Sequence, residues 1–165
     1  MSGLQHAFRD SLRTLDARTR ELERRTSWGI WRDWSPFLDA STTPPDIGVD
    51  GAADGIYLRE NGEVTCMFSI TFGTVVSAGT GTYRITGWPF TQLAGRPSFV
   101  AGDARLFDSS SGNVVRAQVI LNDSLQATLR YMTAVPGAET QASATAPWAW
   151  AAGDRIEGWL WYPIA

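Results

Sequence analysis

Two incompatible periodicities share this chain, and the place where one gives way to the other constrains what it can fold into. Phe8, Leu15 and Leu22 recur every seven residues, with Leu12 and Thr19 four residues after the first two and Gln5 and Thr26 at the outer turns. In heptad terms Phe8, Leu15 and Leu22 fall at d, and Gln5, Leu12, Thr19 and Thr26 at a. A lone helix of this kind has no partner stripe within the chain, so the pattern predicts a coiled coil of identical chains. Ser2 and Gln5 have capping-box spacing, and nothing breaks the helix before Thr26. At about 1.5 Å per residue the rod would be about 36 Å long.

Arg18 at g and Glu23 at the following e can pair between parallel chains, which selects register more than it adds strength. The run Arg18-Thr19-Arg20-Glu21-Leu22-Glu23 resembles a short trimerisation motif of Arg, hydrophobic, two free positions, hydrophobic, Glu; Thr19 stands where a larger apolar residue is usual. The predicted oligomerisation residues are therefore Phe8, Leu12, Leu15, Arg18, Thr19, Leu22 and Glu23, with Trp28 and Trp31 in a collar where the stalk broadens. The competing reading packs the helix, and the cluster of Trp28, Trp31 and Trp34, on the chain's own head. Thr at a and Leu at d leave dimer and trimer open.

From Ile56 onward the period is two. Asn61-Gly62 is a hairpin signal, and Val64, Cys66, Phe68, Ile70 and Phe72 alternate with Thr65, Met67, Ser69 and Thr71. Strands are predicted at 56–60, 64–72, 83–86, 98–107, 114–121, 125–134 and 155–162. Three segments follow: a stalk at 1–27, a Trp/Pro/Gly-rich collar and linker at 28–55, and a head at 56–165. The fold class is mainly β: an antiparallel β-sandwich or jelly-roll-like head behind an N-terminal α-helical coiled coil. Stretch 39–55 reads as a loop, with Asp50-Gly51 and Asp54-Gly55 as turns.

Composition narrows the function. The net charge of −3 argues against nucleic acid, and the stalk arginines are offset by acids. The single cysteine, Cys66, allows no internal disulfide and sits on an apolar strand face as a small hydrophobe. No apolar signal core or bilayer-length span is present, so synthesis and assembly in a cytoplasm are expected.

The residues Tyr57-Leu58-Arg59-Glu60-Asn61-Gly62-Glu63-Val64, Phe72-Gly73, Gly79-Thr80-Gly81-Thr82-Tyr83 and Trp88-Pro89 resemble the head domain of minor tail or tail-fibre (receptor-binding) proteins in phages of actinobacteria. The turn at 108–112 and the late Pro147-Trp148-Ala149-Trp150-Ala151-Ala152-Gly153-Asp154 are similar too, so the likeness spans 55–163. Trp88 stands where an aliphatic residue is usual. The resemblance implies a homotrimeric β-sandwich displayed on a virion and in contact with the host surface. It implies other virion proteins as partners of the N-terminal region, a host cell-wall glycan as ligand, and no membrane insertion.

Chemistry is sparse. His6, the only histidine, lies in the stalk, which excludes a histidine triad or histidine metal cluster in the head. Gly79-Thr80-Gly81 lacks the lysine of a phosphate loop. A glycosidase pair would come from Asp103, Asp108, Asp123, Asp154, Glu157, Glu60 and Glu63, but most of these sit beside Gly, Asn or Ser, where carboxylates serve turns. Neither enzyme activity nor any cofactor or metal is expected; calcium at turn aspartates lacks a spaced ligand loop.

Binding has more to carry it. Trp148 and Trp150, in a long loop among small residues, would offer rings to a sugar. Trp159 and Trp161 share one face of the last strand, opposite Ile156, Leu160 and Tyr162, and would form a subunit interface or a ligand platform. Arg116 and Gln118, with Arg130 on the next strand, make a polar outer face for an acidic glycan or for water. The expected function is a virion fibre whose heads bind host glycans. The alternatives are a capsid head fibre or decoration, a small polysaccharide-active enzyme, and a cellular lectin, which would more naturally carry an export signal.

Overall fold

The computed structural model describes residues 18, 29–74, 77–93, 95, 97–122 and 125–164. Phe8, Leu12, Leu15, Thr19, Leu22, Glu23 and Trp28 lie outside the described residues; Arg18 is helical and exposed. The described head is mainly β and wholly antiparallel.

The hairpin at its centre forms where alternation is cleanest. Asn61 and Gly62 both take positive φ (49° and 80°), the pair of values a two-residue turn needs to match strand twist. They join β3 (Ala52–Glu60) to β4 (Glu63–Thr71), in which Val64, Cys66, Phe68 and Ile70 are buried. The last strand, β10 (Arg155–Pro163), returns between β4 and β6 (Phe99–Phe107) and pairs with both. β7 (Val114–Leu121), β8 (Ala127–Met132), β5 (Tyr83–Thr86) and β2 (Phe37–Ala40) complete one side, and β1 (Arg32–Trp34) caps the other. The short β9 (Glu139–Gln141) pairs with β8 beyond the end of β5.

The hydrogen-bonded path therefore runs β1-β3-β4-β10-β6-β7-β8-β5-β2. Its two edges, β1 and β2, are consecutive in sequence and separated only by Ser35 and Pro36. The sheet must curl until its edges come close, and Pro36, with no N–H to give a ladder, marks the seam. The curl also brings distant strands face to face. Phe72 follows β4 and Tyr83 opens β5, five steps along the path, yet their rings stack 6.3 Å apart. In place of the two separate sheets of a sandwich, one curled sheet brings its halves face to face across a shared core.

Trp150 fills the middle of that core. It is 6 % exposed, lies 4.9 Å from Phe72 and 5.7 Å from Tyr83, and its Nε1–H donates to the Ser143 carbonyl at 2.8 Å. Close approach of β6 to β10 depends on Gly102, where a Cβ would sit 1.9 Å from the Trp159 carbonyl oxygen. A bulge between Val100 and Gly102 accommodates the extra residue, Ala101, which is buried.

Seven predicted strands are present, with β3 starting earlier and β8 shorter than the sequence pattern indicates. Residues 32–40, predicted as collar, instead supply both edge strands of the head. Asp54-Gly55, predicted as a turn, lies within β3; Gly55 is required there because a Cβ would meet the Trp34 indole at 2.3 Å. Trp34 in turn packs on Trp88 at 5.0 Å, so this ring anchors to its own head, while Trp31 is exposed.

Trp150→Ala is expected to destabilise the head by about 3–5 kcal/mol, through a large cavity and an orphaned carbonyl. Thermal unfolding checks it: Trp150→Ala should lower Tm far more than Trp159→Ala, whose ring is on the surface.

Candidate functional site

The turn carboxylates are used up locally. Asp154 is fully buried and accepts hydrogen bonds from Ser109 N (2.9 Å), Ser109 Oγ (3.0 Å) and Ala151 N (2.9 Å), clamping the β6–β7 turn to the segment before β10. Asp108 accepts from the hydroxyls and amides of Ser110 and Ser111. Those donors, the hydroxyls foremost, hold its carboxyl down at about 2. Asp50 is lowered chiefly by the Thr74 amide. Asp108 and Asp50, both lowered, stay ionised near neutral pH, and all three carboxylates are engaged by neighbouring donors.

A different set of polar groups converges on the outer face of the sheet. Because β3, β4, β10, β6 and β7 pair in fixed register, their outward residues align in rows across the strands. One row is Asp33, Ile56, Met67, Trp159 and Asp103; the next is Asp54, Ser69, Glu157, Arg105 and Arg116. Between them lie Gly55, Phe68, Gly158 and Ala104, which belong to the inward set, so the floor there is backbone. Gly158 is obligatory: a Cβ on it would lie 2.7 Å from the Phe68 ring. The rows bound an open groove of about 1100 Å³.

The groove has a polarity. Asp33 and Asp54 lie at the β1–β3 end, Ile56, Met67 and Trp159 form an apolar middle, and Arg105 and Arg116 stand at the β6–β7 end, where Asp103 and Glu157 flank Arg105. Trp159 is 42 % exposed, so a ring face remains for a ligand. Glu157 is paired with Arg155 at 3.4 Å. Asp103 and Glu157, both named among the possible glycosidase acids, stand diagonally on adjacent strands within the groove.

The predicted ligand residues separate into three groups. Trp159 and Arg116 line the groove. Trp161 is outward as predicted but packs beside Phe99, 6.1 Å away, and Arg130 bonds Glu139 at 3.4 Å in a smaller depression that also reaches Arg116. The loop tryptophans are a correction. Trp150 is a core residue, and Trp148 leans on it at 5.6 Å with its Nε1 buried, because the curl closes over the segment that carries them. Arg105, Ile56, Met67, Asp33 and Asp54 were not singled out by sequence. Their only signal was period-two placement opposite the core residues, and their convergence needs the strand order. Among the described residues, no group of three or more His, Cys, Asp and Glu side chains is placed to hold a metal ion. No family model matches the chain, and comparisons with curated proteins and with solved structures give no match.

Two titrations follow. The Asp108 carboxyl should titrate by NMR near 2 rather than at its ordinary 3.8, and Ser110→Ala or Ser111→Ala should raise it. Its folded value is depressed, so its contribution to stability is complete above the ordinary value and is lost as pH falls toward 2. Cys66 is fully buried, and burial pushes its thiol up to about 12. Iodoacetamide at pH 8 should leave it unmodified in the native protein and alkylate it after unfolding in guanidinium.

Proposed function

We propose that this chain is a non-enzymatic, saccharide-binding structural protein of a phage particle, a tail fibre or minor tail protein acting as a homotrimer. The observation that carries the binding reading is the groove: an exposed tryptophan on a paired sheet face, with two carboxylates at one end and, at the other, two guanidiniums flanked by Asp103 and Glu157. Indole faces stack on the apolar faces of sugar rings, and planar carboxylates and guanidiniums match hydroxyl and acid groups. The acids of the groove are less suited to hydrolysis, since Glu157 is occupied by Arg155.

The heptads at the N-terminus support the assembly. Three chains on one stalk hold three modest sites at high effective concentration, so avidity compensates for single-site affinity. The stalk region then meets other virion proteins and the heads meet the host cell wall. A capsid fibre or decoration protein shares the stalk and differs only in where it is attached; immunogold labelling of intact particles separates the two.

Light scattering tests the assembly. The full chain should run at three times the 18.1 kDa of one copy, and a chain starting at residue 27 should fall to a monomer. A full chain of single-copy mass would refute the fibre, and a truncated chain that stays trimeric would remove the helix as its assembler.

A further inference from the structure

We infer that the groove selects an anionic saccharide, with a sugar ring on Trp159 and an acid group held by Arg105 and Arg116; this rests on the saccharide-binding reading above. Arg105 and Arg116 are direct cross-strand partners on β6 and β7, both exposed and both lining the groove. Like charges directly opposite on a sheet are unfavourable by themselves. Four other arginines of the head are occupied: Arg130 pairs with Glu139, Arg155 with Glu157, Arg84 donates to Gln126, and Arg59 covers the Phe90 ring; among the described residues Arg32, on the edge strand β1, is not. Among the described residues, no ion pair or hydrogen bond engages the Arg105 or Arg116 side chain. Glu157, the β10 partner of Arg105, is engaged by Arg155, and Asp103 stands two residues away along β6; neither bonds the two opposed guanidiniums, which form a fork for one planar or tetrahedral anion.

The spacing suits a sugar acid. Trp159 stands opposite Asp103, so Arg105 is its diagonal neighbour, about 8 Å away, and Arg116, one strand further, is about 12 Å away. That is the span of one to two sugar units. Asp33 and Asp54 at the far end repel a second acid and accept hydrogen bonds from hydroxyls. The ligand so described alternates an acidic with a neutral, hydroxyl-rich unit, and lies in one direction. The acid is a carboxylate or a phosphate ester, which guanidinium forks bind alike.

Calorimetry on the full chain tests this with four probes. They are a hexasaccharide of alternating glucuronate and N-acetylglucosamine, the same hexasaccharide with its carboxyls reduced, a hexose-substituted oligomer of glycerol phosphate, and that oligomer after phosphate removal. Either acidic probe should bind at least about ten-fold tighter than its neutral form. Arg105→Gln should abolish that preference and leave neutral binding unchanged, Trp159→Ala should weaken all probes, and Arg59→Gln should change nothing. Tighter binding of only one acidic pair supports the inference and identifies the acid. Equal binding of acidic and neutral forms, still lost in Trp159→Ala, overturns the acid selection and leaves the saccharide reading standing. No binding of any probe overturns both.

Discussion

The strict alternation of β4 and β10 is the constraint on which the fold and the groove both depend. Along β10, Ile156, Leu160 and Tyr162 are committed to the core, which leaves Glu157, Trp159 and Trp161 no choice but the outside. β10 is paired on both sides, to β4 along its whole length and to β6 along six residues, so its register is held twice. A slip of one residue would put Trp159 among the aliphatics and Leu160 in water. The groove is thus the outer face of the same pattern that fills the interior. Its shape does not depend on a mobile loop.

The tryptophans divide by what their indole nitrogens meet. Trp150 has a carbonyl partner, the stacked ring of Phe72 and the tilted ring of Tyr83, and it closes the core between the halves of the sheet. Trp34, Trp88 and Trp148 bury their Nε1 atoms without a protein partner, in an aromatic layer around the seam and beside Trp150. Each such group gives back part of what its ring burial contributes. Trp159 and Trp161 stay outside, and of these two Trp159 lines the groove, which Trp34 borders at its β1 end.

Much of the head was legible because its information is local. Asn61-Gly62, the alternation from Val64 to Phe72 and the outward pair Trp159 and Trp161 each follow from a few adjacent residues. β1 and β2 were not legible: they are three and four residues long, split by Pro36, and too short to display a period. Trp150 was misplaced because its neighbours Phe72 and Tyr83 are far away in sequence, so small flanking residues suggested exposure. Arg105 needed the most long-range knowledge. Nothing near it in sequence says that β10 will insert beside it or that Arg116 will stand opposite.

The seam at Ser35 and Pro36 has one more consequence. An open sheet of this width would present two long rows of unpaired amides and carbonyls to its neighbours. Here one border is a strand of three residues, the other a strand of four, and the proline sits between them. Each border strand itself leaves only a short ladder for another chain to extend, although β1 covers just Gly55, Ile56 and Tyr57 of β3. A neighbouring chain that added to either border strand would therefore gain only a few backbone hydrogen bonds.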